Sequence, residues 1–198
     1  AADAAGARVA HHAHPGRGIE GEDLAGDVAE LGPEDAADVV LVVSATHGVE
    51  GYCGSALQTG WLDQPASSLA DGVRVVLVHA LNPHGFSWVR RVNEDNVALN
   101  PNFVDWSQPA PENPEYDEIA PLLVPPAWGD DEQQRTTVEL VEIAERLGLE
   151  RMQEVVSRGQ YGQPTGVFYG GRGPVWSNRW LHSWCASNLE RCRRPTII

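Results

Sequence analysis

Lysine is absent from this 198-residue chain: its 14 basic residues are all arginine, set against 28 acidic ones, for a formal net charge of −14. Nucleic-acid backbones and anionic membrane surfaces repel such a chain, so neither is an expected partner. Cysteine is scarce, with Cys53, Cys185 and Cys192 scattered, odd in number and without a CxxC pair. No disulfide framework is implied, and a reducing cytoplasmic setting fits. Long apolar runs are lacking too; Val39 to Val43 is far too short to span a bilayer, and no secretory leader pattern is visible. Nucleophile-elbow, P-loop and dinucleotide fingerprints are all missing, and nothing points to a specific protein partner.

What is present is enough apolar material, 42% of residues, to build the core of one ordinary domain. Two runs rich in β-branched residues, 38–44 and 73–79, read as buried strands. Residues 51–62 between them carry helix-like apolar spacing, so the segment reads as a βαβ unit of an α/β sheet. Residues 7–14 read as an edge strand or half of a hairpin. The Pro-rich, acidic stretch 105–131 reads as a long surface excursion. Residues 131–158 read as one helix or two, with Gly148 as the break, and 177–189 as a last helix. Trp176, Trp180 and Trp184 recur every four residues, which fits a buried helix face. Cys53 is expected to be a buried structural thiol.

The chemistry gathers where the first strong strand ends, in Ala45-Thr46-His47-Gly48-Val49-Glu50-Gly51. Ligands in α/β sheets sit at the C-terminal edge of the strands. His47 and Glu50 are three residues apart, so one helical turn aims both side chains at one spot. An imidazole and a carboxylate are good zinc ligands, and a bound metal polarises a carbonyl and lowers the pKa of its water. The second strand leads into Asn82-Pro83-His84-Gly85, then Arg90-Arg91-Val92-Asn93-Glu94-Asp95-Asn96-Val97 and Leu99-Asn100-Pro101-Asn102-Phe103. Arg and Asn donors beside a metal suit a polarised carbonyl or a substrate carboxylate.

Taken in order, these blocks resemble the zinc carboxypeptidase superfamily and, within it, the bacterial domain of unknown function 2817. Phe168-Tyr169-Gly170-Gly171 and residues 174–181 resemble that family as well. The resemblance implies a three-layer α/β domain with a mixed, mostly parallel sheet, zinc carboxypeptidase-like (phosphorylase/hydrolase-like), covering 1–198 as a single partial domain. It implies zinc held by His47 and Glu50, Arg91 (or Arg90) stabilising an oxyanion, and Asn100 with Arg90 on the substrate's carboxylate. The implied activity is cleavage of a peptide or amide bond near a carboxylate. Aspartoacylase-like or desuccinylase-like action on acyl-amino acids is an alternative, and a non-catalytic remnant another.

The pattern breaks in places. The family block Asp-Leu-Asn-Arg-Asn-Phe is here Ala98-Leu99-Asn100-Pro101-Asn102-Phe103. The Asp would orient the zinc-binding His, a partner whose loss costs about 10–100-fold in metal affinity or activity. Pro101 lacks the fork of donors an Arg brings to a carboxylate. Glu94 or Asp95 is a candidate replacement for the orienting acid. The family's third ligand and catalytic Glu lie further on, and the tail 191–198 does not resemble the expected continuation, so the chain reads as incomplete at its C-terminus. His79, His84 and His182 are candidate third ligands, whereas His11, His12 and His14 read as ordinary edge-strand residues with His12 and His14 on one face.

Overall fold

The computed structural model describes residues 1–64, 69–190, 192 and 194–198. Arg191 and Arg193 of the tail therefore lie outside the described residues. The chain divides into two compact units, residues 1–94 with 176–198, and residues 95–175.

The first unit is built on a five-stranded sheet of order β1-β2-β4-β3-β5. Its strands are β1 (Arg8–Arg17), β2 (Asp23–Leu31), β3 (Asp38–Val43), β4 (Val73–His79) and β5 (Arg194–Ile197). β3 pairs parallel with β4 and β5, while β2 is antiparallel to both β1 and β4, so only β2 runs against the other four. The sheet is thus mixed and mostly parallel, as the family resemblance implies. β1 is both an edge strand and half of a hairpin with β2, a strand the sequence reading does not place. The tail forms β5, extending the sheet beside β3.

Alternation along the strands sorts the core into two faces, because successive side chains of a strand point oppositely. Val28, Val39, Leu41, Val76 and Val78 pack with Trp184, Trp180, Leu181 and Cys185 of α7 (Trp176–Leu189). Ala29, Val40, Val42, Val75 and Leu77 pack on the other side with Trp61 and Leu62 of α1 (Gly51–Leu62). Helix, sheet, helix makes three layers. The Trp repeat lies on the sheet-facing side of α7: Trp184 is buried, and Trp180 and Trp176 meet the rings of His12 and His14. Gly26 makes room for this, since a Cβ there would lie 2.4 Å from the Trp180 ring.

Two expectations are corrected. Cys53 is an exposed free thiol, not a buried one. The inward stripe of α1 runs through Gly51, Gln58 and Trp61, which leaves position 53 on the outer side. The stretch 105–131 is not structureless throughout, because Pro114–Leu123 forms a helix, α4. Pro114 sits in its first turn, where a missing N–H costs nothing.

The second unit holds α3 (Leu99–Asn102), α4, α5 (Asp130–Leu147) and α6 (Leu149–Ser157). Gly148, at φ +84°, separates α5 from α6 at the expected break. Tyr116, Ile119, Leu122, Ile143 and Val155 form its core.

Candidate functional site

Leaving β3, the chain turns sharply at Ala45, which adopts a left-handed φ of +57°. A non-glycine residue held there is strained, a condition found most often at functional sites. The turn is pinned to the exit of β4: Ser44 N donates to Val78 O (2.9 Å), Leu81 N to Ser44 O (3.0 Å) and Asn82 N to Ala45 O (2.9 Å). Residues 47–51 then close one helical turn, with Gly51 N donating to His47 O at 3.0 Å, and lead into α1. Asn82 caps the short helix α2 (Pro83–Ser87), its Oδ1 accepting from Gly85 N at 2.9 Å. The two loops touch backbone to backbone, since a Cβ on Gly48 would lie 1.9 Å from the Gly85 carbonyl carbon.

That turn places His47 and Glu50 as the spacing predicts, on one side of the backbone. Both meet one cation, the Arg91 guanidinium. Arg91 Nη1 donates to Glu50 Oε1 at 2.7 Å and Nη2 to His47 Nε2 at 2.9 Å. Glu50 is the N-cap residue of α1, where the helix dipole favours negative charge. A guanidinium only donates, so the Nε2 facing it is the unprotonated nitrogen, and in the neutral ring the proton is on Nδ1. Nδ1 is buried and has no hydrogen-bond partner among the described residues. Burial, and then the Arg91 charge, push the imidazole below its usual pKa; Glu50 and a hydrogen bond with the Arg91 backbone oppose them.

Beneath this cluster lies a polar network that sequence reasoning missed. Ser44 Oγ lies 2.8 Å from His79 Nδ1 and 3.2 Å from Gln58 Oε1, and Gln58 Nε2 donates to the carbonyls of Val42 and Val78. Gln58 lies two helical turns into α1, so the network ties that helix to the strand ends carrying the site. Burial lowers the His79 pKa.

The remaining expectations fall out as follows. Of the two arginines, Arg91 reaches His47 and Glu50; Arg90 is exposed, its backbone N–H on Gly85 O at 2.8 Å. Glu94 does not orient His47. Its Oε1 instead lies 3.3 Å from His14 Nε2, while His14 Nδ1 accepts from Gly16 N at 3.0 Å, which fixes the His14 proton on Nε2. His14 is therefore a buried structural histidine and His11 an exposed one, paired with Asp27 at 2.7 Å. Asn100 is exposed on α3, in the second unit. Its neighbour Asn102 is buried, donating to Gly170 O and Gly173 O and accepting from Val175 N. His79 is bound to Ser44, His84 stacks on Trp88, and His182 is exposed on α7.

A catalytic zinc commonly takes three protein ligands and a water. Here one imidazole and one carboxylate converge, the right kinds of donor, but among the described residues no group of three His, Cys, Asp or Glu side chains forms. The imidazole lone pair, moreover, already accepts from Arg91. As arranged, the cluster does not fit a metal.

An α/β layer sandwich with a His, Glu and Arg cluster at the C-terminal rim of its parallel strands defines the class of this chain. It belongs to the family described as protein of unknown function (DUF2817), which matches residues 1–198. Among curated proteins no match is found. Solved structures with some likeness include carboxypeptidase A from Helicoverpa armigera, 12% identical, covering 96% of this chain and 40% of that one, with a TM-score of 0.47. A metallo-carboxypeptidase from Burkholderia cenocepacia is 21% identical over 72% of this chain and 34% of its own, with a TM-score of 0.35. A glutaminyl cyclase from Tannerella forsythia is 15% identical over 100% of this chain and 72% of its own, also at 0.35. The chain spans between about a third and two-fifths of the two carboxypeptidases. At these identities and TM-scores, the likenesses carry no functional argument.

Proposed function

We propose that this chain supplies part of the active site of a zinc-dependent hydrolase acting on a peptide or amide bond near a carboxylate, with His47 and Glu50 as two of the metal's ligands. The convergence of both side chains on one cation carries the reading: whatever positive group sits there, the backbone turn at 47–51 presents an imidazole and a carboxylate to it together. Arg91 is the cation assigned to the substrate's developing oxyanion, since a guanidinium beside a polarised carbonyl stabilises negative charge. Arg90, exposed beside it, is assigned to a substrate carboxylate. Small peptides and acyl-amino acids are the substrate classes this donor set suits. Asn100, in the second unit, is outside the geometry that supports this reading.

Equilibrium dialysis of the purified chain and of its His47→Ala and Glu50→Ala variants against zinc tests the proposal. Wild-type uptake is expected to be weak, because two ligands are fewer than zinc normally takes, and to disappear in both variants. Uptake that neither substitution changes would refute the ligand assignment.

A further inference from the structure

Residues directly opposed on neighbouring strands present their side chains on one face. His11 stands opposite Asp27 across β1 and β2, and Asp27 stands opposite His79 across β2 and β4. A cavity of about 500 Å3 lies against this row, with Tyr52 of α1 and Phe86 of α2 also lining it. That volume is in the range of small-molecule sites. The Tyr52 and Phe86 rings stack at 4.4 Å, and Phe86 meets the His79 ring at a right angle, 4.8 Å between centroids.

The donors of this cavity are spent internally, whereas its acceptors are not. Tyr52 donates its hydroxyl to Phe86 O, and Ser87 Oγ donates to Glu22. The tautomer of His79 follows from the network behind it. Gln58 Nε2 donates to two carbonyls, so Oε1 is left to accept, and among the described residues only Ser44 Oγ reaches it, at 3.2 Å. Val78 O, the other acceptor near that hydroxyl, already takes Ser44 N and Gln58 Nε2. The one hydroxyl proton therefore goes to Gln58, and Ser44 Oγ accepts from His79 Nδ1. Burial keeps the ring neutral, so Nε2 carries a lone pair. Nε2 has no partner among the described residues and is not sealed from solvent, so it opens on the cavity that His79 lines. In the next strand Asp27 Oδ1 accepts from His11 Nδ1 at 2.7 Å, while Oδ2 has no partner among the described residues. Glu20, Glu22 and Asp23 line the cavity too. Asp23 is answered by Arg17, but Glu20 and Glu22 have no cationic partner among the described residues.

We propose that this cavity binds an organic cation bearing N–H groups, an alkylammonium or a guanidinium. Its N–H groups reach His79 Nε2 and Asp27 Oδ2, its charge answers the carboxylates, and its carbon body lies on Phe86 and Tyr52, whose π faces attract a cation. An anion would meet acceptors alone. The site shares no residue with the His47, Glu50 and Arg91 cluster, and the inference does not depend on the role given to that cluster.

The test is titration calorimetry of the full chain with benzylammonium, benzyltrimethylammonium, phenylacetate and Nα-acetyl-arginine amide. Benzylammonium is expected to bind. Benzyltrimethylammonium keeps the ring and the charge but has no N–H, and is expected to bind about tenfold more weakly, the scale of one charge-assisted hydrogen bond. Phenylacetate is expected not to bind. Tighter binding by the arginine amide than by benzylammonium assigns the site to a basic side chain of a peptide, and the reverse to a free amine. Asp27→Asn is expected to weaken benzylammonium about tenfold, and Tyr52→Ala, at an exposed position, about threefold. Glu139→Gln, on α5 and outside the cavity, is expected to bind as wild type does, which separates the site from general attraction to an acidic chain. No binding by either N–H cation, binding by phenylacetate, equal binding by the quaternary ion, or equal losses in Asp27→Asn and Glu139→Gln would each overturn the proposal. Long-range 1H–15N spectra of wild type are expected to show the Nδ1–H tautomer at His79, and an Nε2–H tautomer overturns it even if a variant fails to fold.

Discussion

Replacing Gly48 by alanine sets a methyl group against the backbone of the neighbouring loop. A Cβ there would lie 1.9 Å from the Gly85 carbonyl carbon, 2.1 Å from its oxygen and 2.3 Å from Phe86 N. No side-chain rotation relieves contacts with backbone, so the loops must part by more than an ångström. Forcing extra methyl groups into packed sites costs about 1–3 kcal/mol, and Gly48→Ala belongs at the upper end because the obstruction is main chain. Gly60→Ala is the matched control. Gly60 lies within α1, and a Cβ there meets nothing within 4 Å, so its replacement is expected to stabilise by about 0.5–1 kcal/mol. Denaturant melts followed by Trp fluorescence measure both. The parting loops also carry His47 and Arg91, which meet at 2.9 Å, so Gly48→Ala is expected to shift the His47 imidazole 15N resonances while Gly60→Ala leaves them in place. A Gly48→Ala protein as stable as wild type with an unchanged His47 signal would refute the claim that loop-to-loop contact builds the site.

Ser44→Ala leaves His79 Nδ1 and Gln58 Oε1 without their shared hydroxyl, and is expected to cost about 1–3 kcal/mol, the penalty for orphaned buried polar groups; a denaturant midpoint equal to wild type would contradict this. Burial holds the His79 imidazole below its ordinary 6.5, so the folded chain binds fewer protons there than the unfolded one. Stability is then full above pH 6.5 and falls as pH drops toward the depressed folded value. His47 acts in the same direction. Thermal melts across pH 5 to 8 check the slope, which His11, raised by its Asp27 partner, opposes, and His79→Gln is expected to change it toward lower stability at high pH relative to low; a pH dependence that this substitution leaves unchanged would show that His79 is not held neutral by burial.

Sequence periodicity alone was enough to place β3, α1 and β4. Continuous β-branched runs buried on both faces and a helical apolar spacing between them are local signals, and all three elements lie where that spacing puts them. That His47 and Glu50 point to the same side of the backbone was equally legible, because three residues of separation and one helical turn fix it without help from the rest of the chain, and both reach Arg91. β2 was missed because Gly26 and Asp27 read against a strand, although Gly26 is small for a tertiary reason, the Trp180 ring lying over it. Cys53 was misread because proximity to a motif says nothing about which face of a helix packs inward.

Which group answers which was decided by tertiary structure alone. Glu94 lies 80 positions from His14 and 47 from His47 in the numbering, and only the folded course of its loop settles that it pairs with the former. Ser44, Gln58 and His79 become one network because β3 and β4 are neighbours and α1 lies over them. Arg91, 44 residues from His47, reaches it through a loop contact that tolerates no side chain at Gly48. Local spacing determines where a side chain points; long-range packing determines what it finds there, because hydrogen-bond partners are selected by distance in space, whatever their separation along the chain.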